Sequence, residues 1–496
     1  MKDRMGHLGL GGRISAAEEA AASIRDGMTV AMSGYAMAGY PKAVVEALVQ
    51  RKQTGEDLSL GLITGANVPW LDETLGAEKI ITRRAPMVAS RTLAAQANNG
   101  SLSYVEQQMS KMPRLLRNSS FGQIDIAVVE ALGFDEAGDL IPSSSVGMTH
   151  YLMDAADEVI VEINGAQPEV LRDLHDIYIP AAAPNTQPIP LIRTNQRIGR
   201  SGIQVDPRKI RYIVETDIPE RMGAQQSGTA LTRSIADHLL NFLELEVRKT
   251  GGHLPPIQTG FGGIADSIAE GFQQSGFRNL QFFCGGITEP VLELLASGKA
   301  TAISTGGLGM SERVEQILHN TPNLRDHLVI RNGDITNSPE VIGRLGLVAL
   351  NTGIEIDIYG NVNSSHVAGS RVVNGIGGGA TFAQNAGLSV ILIPSTAKGG
   401  AISNIVPMVS HQDIGEHDVD VVVTEHGIAD LRGLDDGERA DALITHCASD
   451  AYRGQLTAYL QTAREQCGGH HPQLPEAAFG WYRRLKEEGT MLEEGS

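Results

Sequence analysis

The chain has 496 residues, 42% of them hydrophobic and 20% charged, with 57 glycines and only 4% aromatics. That length predicts two or three domains with ample core material, and many glycines beside few aromatics favour α/β architecture over an all-β sandwich. A formal net charge of −18 excludes a nucleic-acid partner, which needs a basic footprint, and requires any anionic substrate to be met by local positive groups. Cys284, Cys447 and Cys467 are too few for a disulfide framework, which points to a reducing compartment. MKDRMGHLGLGGR lacks a continuous apolar core of the signal-peptide kind, and no window reaches the roughly 18 apolar residues of a membrane span. A soluble, cytoplasmic protein with no membrane partner is expected.

In chain order, Ser15 and Glu18 have capping-box spacing ahead of an alanine-rich helix running to about Ile24. TVAMSG (29–34) predicts a short buried strand, GYAMAGYP a loop, KAVVEALVQR a helix and DLSLGLITG (57–65) the next strand. Strand, loop, helix, strand is the grammar of a parallel sheet. Further strands are expected at 124–132, 158–164 and 210–216, followed by a polar, broken linker, DIPERMGAQQSGT (217–229). The pattern then restarts with a helix from Ile235 to Val247, a strand NLQFFC (279–284), a helix PVLELLASG (290–298) and strands at 327–331, 388–394 and 418–424. Two α/β halves follow, divided at 222/223, with a terminal loop and helix packing last.

Several stretches are chemically suggestive. NGIGGGA (374–380) contains G-x-G-x-x-A, but only about seven residues separate Ala380 from the next strand and no acidic residue lies between Asp357 and Asp413. NAD binding is therefore not expected. Its backbone N–H groups can still receive a thioester oxygen or a phosphate. Cys467 with His470 and His471 has no partner pair at ligand spacing, so a solvated loop and no metal are expected, and His446–Cys447 reads as helix core and edge. Glu425 follows the strand DVDVVVT, and the carboxyl ends of parallel strands carry chemistry in α/β proteins. EIDIYGNVNSSHVAG (355–369), with Asn361, Asn363 and His366, can present amide donors or form satisfied turns.

Together EIDIYGNVNSSHVAGSRVVNGIGGGATFAQNA, STAKGGAISNIVPMVSH and EHDVDVVVTEHGIADLRGL resemble the acetyl-CoA hydrolase/transferase family, and within it the bacterial succinyl-CoA:acetate and propionyl-CoA:succinate CoA-transferases. SGYAMAGYPKAV, LITGAN, RRAP and RIGRSGIQVDPRKI follow in family order, so the resemblance spans nearly the whole chain. It implies two open-sheet CoA-transferase-type (NagB/RpiA-like) domains, 1–222 and 223–496, in a homodimer. It implies acyl-CoA as substrate and a small-molecule acceptor as its partner. Gly377, Gly378 and Gly379 would form the oxyanion site, and Glu425 an active-site carboxylate, in a block where the family's Gln is His426. Gln258, Gly260 and Gly262 of QTGFGG would lie near the acyl group, with Gly263 in place of the family's Asn. Lys398, Gly399 and Gly400 would line the CoA pocket, with Asn361, Asn363 and His366 contributing.

The family's nucleophilic glutamate is expected at the end of the strand NLQFFC. Ungapped counting back from LLASGK puts Cys284 on the family's Ser/Thr, Gly285 on the glutamate and Glu289 on a second acidic position. Three mechanisms are open: Glu289 takes over through a four-residue shift, Cys284 attacks as a thiolate, or an acceptor attacks the thioester directly with Glu425 or a histidine as base. A CoA-binding paralogue without catalysis is the remaining alternative.

Overall fold

The computed structural model describes residues 10–221, 228–249 and 251–493. The expected boundary at 222/223, and residues 222–227 of the expected linker, lie outside the described residues. Two compact units emerge, one of Met1–Ala224 with Arg278–Leu345 and one of Gln225–Phe277 with Gly346–Ser496.

In the first unit a parallel sheet runs in the order Ser103–Tyr104, Ile81–Ala85, Leu60–Thr64, Thr29–Met32, Ile124–Phe134, Ala156–Asn164 and Ile210–Thr216, with Leu140–Pro142 antiparallel on Ile124–Phe134. Its central strands are almost continuously buried, as a parallel sheet covered on both faces requires. A second set of parallel strands in the same unit is ordered Leu280–Cys284, Ala300–Thr305, Leu328–Arg331 and His175–Asp176. The helix Glu289–Ala296 connects the first two of these, turning Val291, Leu292 and Leu294 inward.

The second unit holds Ile257–Thr259, Val348–Thr352, Leu388–Leu392 and Val421–Val423 in parallel, with Ile428–Asp430 antiparallel at the edge. Its core joins Ile391, Ile393 and Val422 to Tyr452, Leu456 and Trp481 of the helices Asp450–Gln466 and Pro475–Glu488. The open-sheet α/β class read from the sequence is the observed one.

The expected capping box at Ser15 does not form. Ser15 N–H is drawn to Ile213 O at 2.9 Å on the sheet edge, leaving Ala16 as cap of a helix that ends at Ala22. A capping box does occur between Asp435 and Glu438, opening the helix Asp436–His446. Among the described residues, no helix is long and apolar enough to cross a membrane.

Candidate active site

In the first unit Cys284 ends its strand opposite Thr305 and is fully buried. Gly285 follows, half-buried, with its carbonyl accepting Gly306 N–H at 2.9 Å. A Cβ built on Gly285 would stand 3.6 Å from Tyr35 Oη and 3.7 Å from Asn337 Nδ2, ordinary contact distances. Glu289 is the first residue of its helix, and its carboxylate accepts a hydrogen bond from Ser311 Oγ, the side chain that also caps the helix Glu312–Asn320. The structure thus gives the three candidates different surroundings: a sealed thiol, a carboxylate engaged by Ser311, and a half-buried α-carbon flanked by a phenol and an amide.

Tyr35 is held in place by backbone and packing together. Tyr35 and Ala38 exchange backbone hydrogen bonds of 3.0 and 3.1 Å across a turn whose central residues, Ala36 and Met37, have φ of 54° and 66°. Left-handed conformations at two non-glycine residues are costly and are kept only where the surroundings enforce them. The ring fills a slot that only glycines permit: a Cβ at Gly147, Gly306 or Gly333 would come within 2.4, 2.6 or 2.9 Å of Tyr35 atoms. Asn337 Nδ2 donates to Tyr35 Oη and, at 3.0 Å, to Gly333 O. Burial pushes the phenol up to about 12, so it stays protonated at neutral pH.

In the second unit Glu425 lies just beyond the carboxyl end of Val421–Val423, as its sequence position predicts. Its two oxygens accept from Ser395 N–H at 2.9 Å and from Ser395 Oγ, and its backbone carbonyl accepts from Ser234 Oγ at 3.2 Å. His426 Nε2 stands 3.7 Å from Glu425 Oε1. Gly377, with φ of 58°, and Gly378 lead into the seven-residue helix Gly379–Asn385, which begins 3.4 Å from Asn351 Oδ1 when measured from a Cβ built on Gly379. Gly260 and Gly262 form the turn between Ile257–Thr259 and the helix Gly263–Gln274, with Gly262 at φ 108° as its cap.

Gln258 pairs in register with Ala349, so Gln258 and Asn351, two residues on from Ala349, share one face of the sheet near its carboxyl end. Both are buried, and Gln258 Oε1 and Asn351 Nδ2 have no hydrogen-bond partner. A buried unpaired amide costs about 1–3 kcal/mol, so a donor and an acceptor left open on one face mark a place prepared for polar ligand atoms.

The expected CoA-lining residues divide by environment. Lys398 and Gly399 are exposed, with φ of 49° and 65°, and Gly400 O accepts from Tyr452 Oη at 2.9 Å. Asn361 donates to Asp357 and Glu416, while Asn363 is buried and donates to Glu355 at 2.9 Å and to His366 O at 2.6 Å. Burial pushes the Asp357 carboxyl up to about 6. His366 stacks on His411 at 4.0 Å, and burial followed by the His411 charge lowers its pKa.

The loop carrying Cys467, His470 and His471 is less free than expected. His471 stacks on Tyr359 at 3.9 Å and bonds Asp436 at 2.6 Å, and Glu416, Asp436 and His471 each bring a ligand atom within 4.8 Å of the others. These carboxylates are distant in sequence, so spacing along the chain could not reveal them. Cys447 caps the end of the helix Asp436–His446 and is buried, as expected.

Sequence reasoning missed Tyr35, Asn337 and Asn351. The one available signal was at Asn351, a polar residue directly after the apolar run LGLVAL.

Family models describe residues 12–218 as an acetyl-CoA hydrolase/transferase N-terminal domain and 314–460 as the corresponding C-terminal domain. A succinyl-CoA:acetate CoA-transferase of Clostridium kluyveri is 38% identical, covering 98% of this chain and 92% of its own. The chain belongs to the acetyl-CoA hydrolase/transferase family. An acetyl-CoA hydrolase of Kluyveromyces lactis is 34% identical over 99% of this chain and 98% of its own. Among solved structures, RipA from Yersinia pestis matches with a TM-score of 0.70 at 20% identity, covering 92% of this chain and 98% of its own, a likeness of fold. As a member of the acetyl-CoA hydrolase/transferase family, the protein is an enzyme acting on acyl-CoA, with CoA thioesters as substrate.

Proposed function

We propose that this enzyme moves CoA or an acyl group between a thioester and a small acceptor without forming a covalent intermediate on Cys284 or Glu289. The supporting observation is the burial of the Cys284 thiol together with the engagement of Glu289 by Ser311. Neither group is presented as a nucleophile, and Gly285 has no side chain to offer.

Asn351 Nδ2 and the turn Gly377–Gly379 polarise the thioester carbonyl, with Gln258, Gly260 and Gly262 shaping the acyl subsite. Donors already aimed at the developing oxyanion supply rate without reorganisation. Glu425, fixed by Ser395 and next to His426, is the acid–base group. Exposed Lys398 and the turn Gly399–Gly400 receive CoA phosphates, while Asn361, Asn363 and His366 hold the neighbouring loop in shape.

This chemistry needs neither NAD nor a metal. The two CoA-transferase domains are assigned to 1–222 and 223–496, supported by the family matches to 12–218 and 314–460. A cytoplasmic homodimer without membrane or nucleic-acid partners accords with the charge of −18 and the three cysteines. Light scattering on the purified protein tests the dimer.

The decisive experiment is product mass spectrometry from an acyl-CoA panel offered water, acetate, succinate and amines. Acyl-CoA consumption without any protein adduct at Cys284 or Glu289 is expected, and a trapped acyl or CoA adduct on either residue refutes the mechanism. No binding of CoA, acetyl-CoA or succinyl-CoA at about millimolar concentration by calorimetry refutes the site as a whole.

A further inference from the structure

We infer that His426 is the proton relay of Glu425, carrying to solvent the proton that is left behind when water is the acceptor. The inference rests on the reading above, in which Glu425 is the acid–base group and no protein nucleophile intervenes. The residues concerned all lie within the second unit, along one edge of its sheet. Val348–Thr352, Leu388–Leu392 and Val421–Val423 are adjacent parallel strands, with Thr352, Leu392 and Val423 in one row. Asn351 stands one residue before that row, Ser395 three beyond Leu392 and Glu425 two beyond Val423, so the group shares the carboxyl edge.

The two side chains divide the task by exposure. Ser395 N–H holds Glu425 Oε2 and Ser395 Oγ donates to Oε1, the oxygen that His426 Nε2 faces at 3.7 Å. The Glu425 side chain is 18% exposed and that of His426 31%, so the imidazole is the solvent-side member. A tight turn fixes it there. His426 N–H donates to Thr424 Oγ1 at 3.2 Å, Thr424 N–H to Gly427 O at 2.9 Å, and Thr424 Oγ1 to Cys447 O at 3.0 Å. The Cys447 thiol also meets the Glu425 charge, but burial pushes it up to about 12, so it stays protonated and relays nothing. An imidazole accepts a proton at one nitrogen and releases one from the other. The 3.7 Å gap closes with a small rotation, and catalytic hydrogen bonds are often long in a resting enzyme and tighten with substrate bound.

Proton balance gives the relay its purpose. Exchange of CoA between carboxylates neither takes up nor releases a proton, and an attacking amine passes its proton to the departing thiolate. Water leaves one over. Its oxygen attacks the thioester carbonyl carbon while one of its protons passes to Glu425. The C–S bond breaks with its electron pair on sulfur, and Glu425 gives that proton to the thiolate, forming CoA thiol. The product acid then ionises at neutral pH. Its proton goes to Glu425 and onward through His426 to solvent, which resets the carboxylate. His426 thus acts through Glu425 and does not touch the thioester.

The test is turnover of acetyl-CoA with water alone and with hydroxylamine, in dilute and in concentrated imidazole buffer. His426→Ala should lower the hydrolytic kcat about 10²-fold in dilute buffer, leave the acetyl-CoA KM unchanged, and regain rate as imidazole is added. His426→Gln fills the same space without a nitrogen that exchanges protons. It should be equally slow and not rescued, and it stands in should His426→Ala unfold. In both variants the ratio of hydrolysis to hydroxamate formation should fall by the same factor. A natively folded His426→Ala that imidazole does not rescue, wild-type hydrolysis in His426→Gln, or equal losses with water and hydroxylamine overturns the relay. So does a wild type that consumes acetyl-CoA only when an amine or a carboxylate is supplied. With hydroxylamine and acetyl-CoA varied together, wild type should give intersecting double-reciprocal lines, the mark of a ternary complex. Parallel lines refute the non-covalent reading instead, and imidazole rescue of hydrolysis still decides the relay.

Discussion

Gly285→Glu installs a carboxylate where the family resemblance expects the protein's own nucleophile, and the structure allows its cost to be worked out. Gly285 is outside the left-handed region, so the roughly 1 kcal/mol that a side chain costs there does not apply. The new Cβ would meet Tyr35 Oη at 3.6 Å and the Asn337 amide at 3.7 and 3.9 Å, within normal contact. Ordering a glutamate side chain costs about 1.5–2 kcal/mol, and one hydrogen bond from Tyr35 to an ionised carboxylate returns about 1.5–3 kcal/mol. The melting temperature should therefore stay near that of wild type. Holding the nucleophile in a formed site is worth up to about 7–11 kcal/mol when the geometry is ideal. Only a fraction is expected here, because buried Gly286 leaves the turn unadapted to a side chain at 285. The variant should form a borohydride-reducible glutamyl-CoA thioester at position 285, seen by peptide mass mapping, and its kinetics should change from intersecting to parallel lines. A folded variant that forms no adduct and keeps the wild-type pattern refutes the register that places Gly285 on the glutamate. A thioester on Glu289 in wild type refutes it from the other side and selects the four-residue shift.

Glu425→Ala should lower kcat by about 10²-fold or more while circular dichroism stays native; undiminished turnover would return Glu425 to a purely structural role beside Ser395. Asn351→Ala removes the unpaired buried donor and should cost about 10²–10³-fold in kcat, with the CoA dissociation constant from calorimetry little changed; an unaffected kcat would remove it from the oxyanion site. Glu162 tests pH dependence. Burial, and then the Glu130 charge, push its carboxyl from 4.5 to about 7. The folded state thus holds a proton that the unfolded chain releases near 4.5, so this contribution is complete below about 4.5 and is lost as pH rises through about 7. The shift corresponds to about 3 kcal/mol at most, and Glu162→Gln should flatten the fall in urea midpoint between pH 5 and 8; an unchanged slope would exonerate Glu162.

What the sequence made legible is what local pattern controls. Ile210–Thr216 falls where its apolar run predicts, and the helix Glu289–Ala296 begins within a residue of the expected start, because strand and helix periods are written in neighbouring residues. Glu425 was legible for the same reason: a polar residue directly after an apolar strand has a predictable place at the strand's end. Ser15 shows where local rules fail, since a backbone bond to Ile213, almost two hundred residues away, overrode a well-formed capping signal.

The site failed to show itself in sequence on the same principle. Tyr35 meets Gly147, Gly285, Gly306, Gly333 and Asn337, residues scattered over three hundred positions, and no spacing rule connects them. Each glycine alone reads as a turn or a strand end. Only when Gly147, Gly306 and Gly333 converge on one ring does their common purpose appear, which is to admit an aromatic where a Cβ would collide. GYAMAGYP was likewise read simply as a loop, yet its Ala36 and Met37 are left-handed and under strain. Strain of that kind persists because the glycine slot and the Asn337 hydrogen bond hold Tyr35 in place. The same residues that make the loop improbable in isolation therefore make the phenol's direction over Gly285 well defined.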